Sequence, residues 1–204
     1  MTPAVRQVTL AAHIGTSISW LGALAVFLAH AAVGHSSTDV DTVRAMSIAM
    51  AAAAWLVILP LAIASLVTGL VQALGTAWGL LRHYWVLFKL LLTLVATAIL
   101  LLKLGPISAL ADAARQAGFA TGDLGGLRLS LLLHAGGGML MLLAIAVLAI
   151  WKPVGMTPFG GLPNIGPPAA MPRWVKAFGI VVLLSTLAMV AMLVAGGHGP
   201  GMHT

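Results

Sequence analysis

Long runs of apolar residues, separated by short polar segments, form the main pattern along this chain. Each run has about 20 residues or more, the length that a helix needs to cross the roughly 30 Å hydrocarbon core of a bilayer. The runs do not alternate between polar and apolar positions, which argues against the strands of a membrane β-barrel. The pattern predicts five transmembrane helices, at about residues 8–33, 46–75, 84–104, 129–151 and 175–197.

These segments predict an all-α fold: a polytopic membrane helix bundle with a four-helix core plus a fifth transmembrane helix, in a single domain over residues 1–204. The connection from Gly105 to Arg128 contains a stretch, 107–115, that we expect to form a short amphipathic helix on the membrane surface. The Gly- and Pro-rich connection from Pro153 to Arg173 is expected to be an irregular loop. Pro60 predicts a kink in the second helix.

The first apolar segment has a second interpretation. A basic residue, an apolar run and the small residues Ala29 and Ala31 around His30 are also typical of a signal peptide with its cleavage site. The run is longer than a usual signal core, and it contains His13 and Trp20. We therefore expect a retained transmembrane helix.

Composition narrows the class of protein further. Hydrophobic residues make up 61% of the chain and charged residues only 7%, against about 25% charged in an average globular protein. Such a chain cannot cover a water-soluble surface, so a soluble enzyme is excluded. The formal net charge is +6, but the basic residues are scattered rather than clustered on one face, so no nucleic-acid partner is expected. Without cysteine there is no thiolate ligand or nucleophile.

The distribution of charge predicts an orientation. One set of helix ends carries Arg6, Arg82, Lys152, Arg173 and Lys176. The other set carries Arg44, Lys103, Arg115 and Arg128, together with Asp39, Asp41, Asp112 and Asp123. Because loops rich in Lys and Arg stay in the cytoplasm, we expect a cytoplasmic N-terminus and an outside C-terminus.

Ionisable residues inside the spans are the first candidates for a functional site, because they are costly in a bilayer. His13 and Lys89 each lie about five residues into a span from the inner side and form a predicted inner layer. His134 and His30 form a predicted outer layer. Each histidine has a structural alternative, a hydrogen bond to a neighbouring hydroxyl or carbonyl. Lys89 and Lys103 could instead extend their ammonium groups to the nearest interface.

The histidines predict a cofactor rather than a carboxylate site, since the spans contain no acids. Imidazoles from the helices of a bundle are common ligands of haem iron. We therefore expect His13 and His134 as ligands of a haem b iron, with His30 nearby and Lys89 paired with a propionate or an anionic substrate. A second hypothesis is copper, held by His198, Met202 and His203 of the tail, because imidazole and thioether suit that metal.

Several motifs resemble a superfamily of small bacterial membrane bundles. These are His13 followed by Trp20-Leu-Gly22, Trp85 followed by Lys89-Leu90, and Leu133-His134-Ala-Gly-Gly-Gly138 followed by Trp151-Lys-Pro153. The superfamily includes the membrane-bound, haem-containing protoporphyrinogen oxidases, the membrane domains of copper-resistance D proteins, and an integral membrane family without an assigned function. The motif from Leu133 to Gly138, with the one that begins at Trp151, is most similar to this third branch, and the resemblance to the superfamily covers roughly residues 8–160.

The resemblance implies a location in the bacterial inner membrane. For the oxidase branch it implies haem b and functional roles for His13 and Lys89, although this chain has a fifth helix and lacks that branch's later charged residues. For the copper branch it implies metal uptake with a periplasmic partner.

Three functions follow as hypotheses. The first is a haem b protein that transfers electrons or oxidises a hydrophobic substrate. The second is a copper-handling or transport protein, and the third is a non-catalytic membrane subunit or assembly factor. The expected partners are the lipid bilayer and either further copies of the chain or a membrane redox protein. The sequence leaves open whether the protein is an enzyme.

Overall fold

A computed structural model describes residues 1–76, 78–122, 124–160 and 171–196. The described residues fold into helices without strands, which confirms the all-α prediction. The helices are α1 (Pro3–Ser36), α2 (Val40–Ala53), α3 (Leu59–Gly75), α4 (Tyr84–Ala114), α5 (Gly125–Trp151) and α6 (Arg173–Gly196). Each predicted span lies within one continuous helical stretch or overlaps it closely.

Local sequence signals set the starts of the first two helices. Thr2 accepts a hydrogen bond from the backbone N–H of Val5, and Pro3 occupies the first turn of α1, where its missing N–H costs nothing. Asp39 caps α2 and accepts from both the hydroxyl and the backbone N–H of Thr42. These two hydrogen bonds, the hydroxyl first, hold the pKa of Asp39 below its ordinary value, because they favour the carboxylate.

The predicted disturbance at Pro60 takes the form of a widened turn. Residues Ala54–Ile58 form a π-helical turn between α2 and α3, and the N–H of Leu59 donates to the carbonyl of Ala54, five residues back. The wider turn ends two residues before Pro60. A proline ring lacks an N–H and clashes with the preceding turn, so it interrupts the α-helical hydrogen bonds. Ala54 and Ile58 are buried, so this turn faces the interior of the bundle.

The stretch after Leu104 differs from the sequence prediction. Instead of a separate surface helix over residues 107–115, α4 continues through Pro106 to Ala114. Ile107, Leu110 and Ala111 are buried in this extension, and packing against α2 supplies the stabilisation that carries the helix past its proline. As a consequence, Lys103 lies well inside a helix rather than near its end.

The helices pack in a ring around a common centre. Helix α1 packs against α5 and against the α2–α3 stretch, and α4 packs against the same two neighbours. Because α1 and α4 make no direct backbone contact in the described residues, they face each other across the centre. Helix α6 packs on α5 and α4, where the rings of Trp174 and Phe178 meet Phe88 edge to face.

The outward faces of the bundle are apolar. Leu56, Leu140 and Ile150 are each at least 70% exposed, an arrangement that suits lipid rather than water. Among the described residues, four stretches are long and apolar enough to cross a membrane: Pro3–Ser36, Val40–Gly75, Tyr84–Ala114 and Gly125–Trp151. These helices support the identification of the chain as an integral membrane protein.

Two arginines bind backbone carbonyls at the end of the bundle where α1 and α4 finish. Arg128 donates to the carbonyl oxygens of Gly34, in the last turn of α1, and of Thr121. Arg44 donates through Nε to the carbonyl of Ala114, the last residue of α4, at 2.8 Å. Both guanidinium groups therefore satisfy carbonyls that a helix C-terminus leaves unpaired, and their charge complements the helix dipole.

Candidate functional site

A cleft occupies the centre of the helix ring. All four spanning stretches contribute to its walls, which are almost entirely apolar. The lining residues are Trp20, Leu24 and Phe27 of α1; Ile58 of the π-helical turn; Ala96, Ile99, Leu100, Lys103 and Ile107 of α4; and Leu131, His134, Ala135, Gly138 and Leu142 of α5. The cleft encloses about 70 Å³, and with the space at its open mouth about 570 Å³.

Two ionisable side chains in this cleft meet at one serine. The Nζ of Lys103 lies 3.3 Å from the hydroxyl of Ser130, and the Nδ1 of His134 lies 2.7 Å from the carbonyl oxygen of the same residue. Lys103 and His134 are both buried. Ser130 therefore fixes the ammonium group on α4 and the imidazole on α5 at one level of the bundle.

The level of this pair lies deep in the bundle. Residue 99 is the midpoint of α4 and residue 138 that of α5, so Lys103 and His134 each lie four residues, or ~6 Å, from the middle of a helix. The chain has only four acids, and none of those in the described part forms an ion pair with Lys103. A buried cation without a carboxylate is costly unless an anion from elsewhere joins it.

His13 lies in a different place, at the contact between α1 and α3. Its Nδ1 is 3.2 Å from both the carbonyl oxygen of Ser65 and the hydroxyl of Thr68. Further hydrogen bonds join Ser17 to Ser65 and Gln72 to Thr9. We call this row the polar seam; it comprises Thr9, His13, Ser17, Ser65, Thr68 and Gln72. His13 does not line the central cleft, so the structure does not bring it together with His134 there.

Lys89 is the second residue of the predicted inner layer, after His13. The two groups are close enough for a Coulomb interaction, although no hydrogen bond joins them in the described residues. The Nζ of Lys89 lies 5.8 Å from the centre of the Trp85 ring, one helical turn back toward the start of α4. The ammonium group thus extends toward the end of the bundle, as long cationic side chains do in membranes.

Gly69 on α3 leaves the space that the His13 ring occupies. A Cβ atom at residue 69 would lie 3.0 Å from Cε1 of His13, closer than the contact allows. We expect Gly69→Ala to lower the free energy of unfolding by ~1–3 kcal/mol, because overpacking displaces the ring from its two hydrogen bonds. Thermal unfolding in detergent measures the change.

Gly22→Ala on α1 is the matched control for this substitution. A Cβ at residue 22 meets nothing within 4 Å, so the control should be neutral or stabilising, because alanine favours a helix. Equal stability of the two variants would contradict the tight packing of His13 against α3.

The remaining predicted residues are His30 and the three copper ligands of the tail. His30 is half-buried on α1, its Nδ1 is buried without a hydrogen-bond partner among the described residues, and it does not line the cleft. The predicted copper ligands His198, Met202 and His203 lie outside the described residues, and copper binding stays a prediction. In the described part of the chain, no three His, Asp or Glu side chains gather into a group that could hold a metal ion.

The structure adds Lys103 and Ser130 to the candidate site. The sequence contained one signal for Lys103: together with Ala96, Ile99, Leu100 and Ile107 it follows the i, i+3, i+4 spacing of one helix face. Its position next to Gly105-Pro106 suggested the end of a span instead. Ser130 carried no signal, because a serine near a helix end is common, and only the packing of α4 on α5 shows its role.

Comparisons with known proteins add no relative to these observations. A scan of family models, a search of curated proteins and a search of solved structures each gave no match to this chain. The functional argument therefore depends on the residues and their geometry.

Proposed function

We propose that this protein crosses the bacterial cytoplasmic membrane with a four-helix core and α6 as a fifth span, its N-terminus in the cytoplasm. We further propose that its central cleft binds a lipid-soluble molecule with an acidic group, haem b being the ligand we put first. The observation that carries this proposal is the pair Lys103 and His134, both bound to Ser130 in a cleft with otherwise apolar walls.

The chemistry of the lining suits a haem. A histidine that ligates a metal commonly directs its other ring nitrogen to a backbone carbonyl, which fixes the orientation of the ring. His134 has this arrangement through Nδ1 and Ser130. Lys103 could pair with a propionate. A Cβ added at Gly138 would touch a methyl group of Leu24 at 3.4 Å, so α5 lies close to α1 beside the cleft.

The size of the cleft limits how such a ligand could sit. The enclosed 70 Å³ is well below the roughly 300–1,000 Å³ of a typical ligand pocket, whereas the cleft with its mouth reaches about 570 Å³. A haem held by His134 and Lys103 would therefore have to displace the walls of the cleft. A smaller lipid-soluble acid would need less displacement of the walls.

The protein's own residues have separable roles in this proposal. Lys103 binds and orients the acidic group, Ser130 holds the lysine and the imidazole at one level, and the apolar walls exclude water, which strengthens the ion pair. A bound haem would supply the redox chemistry. His134 would be the residue that holds its iron, and His13 would stabilise the α1–α3 contact through the polar seam.

The test begins with the full chain purified in mild detergent from haem-supplied cells. We expect a Soret band that shifts on reduction and haem b in a pyridine haemochrome assay. His134→Leu should abolish the band, while Ser130→Ala should lower haem occupancy less, since it removes the hydroxyl that Lys103 contacts but keeps the backbone carbonyl that His134 uses. His83→Leu removes a histidine outside the cleft and serves as the control.

Three outcomes separate the general proposal from the specific ligand. Colourless protein whose solvent extract contains another lipid-soluble acid, absent from Lys103→Met protein, would reject haem b and support the cleft as a site for that acid. A Soret band that survives His134→Leu would reject His134 as the ligand. Colourless protein without any extractable acid would overturn the proposed function.

A further inference from the structure

Two lysines meet two tryptophans at the end of the bundle where α4 begins and α5 finishes, here called the amino-terminal end. Trp78 and Trp85 pack edge to face, with ring centres 5.4 Å apart. The Nζ of Lys89 lies 5.8 Å from the centre of the Trp85 ring, and the Nζ of Lys152 lies 5.7 Å from that of Trp78. We call these four residues the indole–lysine cluster. It is separate from the central cleft.

The loops around the cluster are held in place by backbone hydrogen bonds. The N–H of Tyr84 donates to the carbonyl of Gly155, and the N–H of Thr157 donates to that of Arg82. The indole N–H of Trp174 donates to the carbonyl of Val154 at 2.8 Å. The loop before α4 and the loop after α5 are therefore joined, which brings the cluster's residues from two separate parts of the chain together.

The backbone at Lys152 is also strained. Lys152 has a φ of 42°, in the left-handed region that lysine rarely adopts, and its N–H closes α5 on the carbonyl of Leu148. A residue held in such a conformation often lies at a binding site. Here that conformation accompanies the placement of the side chain over Trp78.

No acid of the described residues lies near Lys89 and Lys152 at this end. Lys89 and Lys152 are close enough to repel each other. The acids of the described residues are distant in the fold, because Asp39 and Asp41 lie at the start of α2 and Asp112 near the end of α4. The positive end of the α4 dipole adds to the same field, and the first turn of α4 contains no acid.

We infer that the indole–lysine cluster binds a phosphate group, and that the phosphate belongs to the headgroup of an anionic phospholipid. The lysines and the start of α4 supply the positive field for a phosphodiester. The exposed ring of Trp78 supplies the amphipathic surface that tryptophan presents at the headgroup level of a membrane. A free phosphate ion would use the same lysines but gain nothing from the indole.

Binding of phosphatidylglycerol to the full chain in mild detergent, followed by native mass spectrometry, tests this inference. We expect the protein to retain phosphatidylglycerol in preference to phosphatidylcholine. The double variant Lys89→Gln/Lys152→Gln should weaken retention about tenfold or more, because each lysine contributes separately to anionic-lipid affinity. Lys152→Gln alone, at an exposed position, should give an intermediate loss and keeps the test valid if the double variant unfolds.

The matched control is Lys176→Gln, which removes an equal charge from an exposed position on α6 near the same end. It should bind phosphatidylglycerol as the unaltered chain does. Equal retention of phosphatidylglycerol and phosphatidylcholine, or a double variant no weaker than Lys176→Gln, would overturn the inference. Complete displacement of the lipid by equimolar inorganic phosphate would assign the lysines to a soluble ion and reject the phospholipid headgroup.

Discussion

Replacing Arg128 with leucine is expected to lower the free energy of unfolding by about 2–4 kcal/mol. The side chain is 7% exposed, and its loss leaves the carbonyls of Gly34 and Thr121 without a charged donor. Hydrogen bonds to charged groups contribute about 1.5–3 kcal/mol each, and an unmade bond at a buried carbonyl costs about as much. Unfolding in mixed micelles, with denaturing detergent as the variable, measures the loss.

Arg115→Leu is the control for this prediction. Arg115 lies in the same region, but its side chain is exposed and, within the described part of the chain, pairs with Asp112 three residues earlier. Such surface pairs contribute less than about 1 kcal/mol. Arg128→Lys should fall between the two, since one ammonium group cannot reproduce a fork with two donors. If Arg128→Leu were as stable as Arg115→Leu, the hydrogen bond from Arg128 to Gly34 would not stabilise the end of α1.

Replacing Lys103 with methionine should have effects of opposite sign in the two states of the protein. In ligand-free protein we expect the free energy of unfolding to rise by about 1–4 kcal/mol, because an apolar side chain of similar length removes a buried charge that no carboxylate in the described chain compensates. In ligand-loaded protein we expect a loss instead, because the acidic group of the ligand loses its partner.

The measurement compares thermal unfolding of both proteins before and after exhaustive detergent exchange that strips the bound molecule. Lys176→Met, an exposed lysine on α6, should change neither state by more than about 0.5 kcal/mol. A Lys103→Met variant that is destabilised even without ligand would show that the lysine stabilises the helices by itself. That result would remove the main argument for an anionic ligand in the cleft.

Charged side chains of this protein lie at three levels of the bundle. At the end of the bundle where α1 and α4 finish, Arg44 binds a carbonyl of α4 and Arg128 binds a carbonyl of α1. In the interior Lys103 shares Ser130 with His134. At the amino-terminal end Lys89 and Lys152 lie over indoles. In a chain that is 7% charged, each of these side chains has a defined contact within the bundle.

The inner-layer prediction and the outer-layer prediction had different outcomes in the structure. His13 and Lys89 interact through charge without a hydrogen bond in the described residues, and two helices that begin at the same end place residues of similar offset at similar depth. His134 meets Lys103 rather than His30 in the cleft. Depth can be counted along a sequence, whereas the side of a helix that faces the interior depends on how its neighbours pack.

The sequence by itself determined the helical class, the approximate spans and the scarcity of charge that marks the intramembrane residues. Those properties depend on local composition and on the cost of exposing a backbone to lipid, both of which can be read from about 20 residues at a time. Tertiary structure decided the continuation of α4 beyond Pro106, the central cleft and the meeting of Lys103, Ser130 and His134. These features arise from packing between residues distant in the chain, and no local pattern specifies which helix faces which.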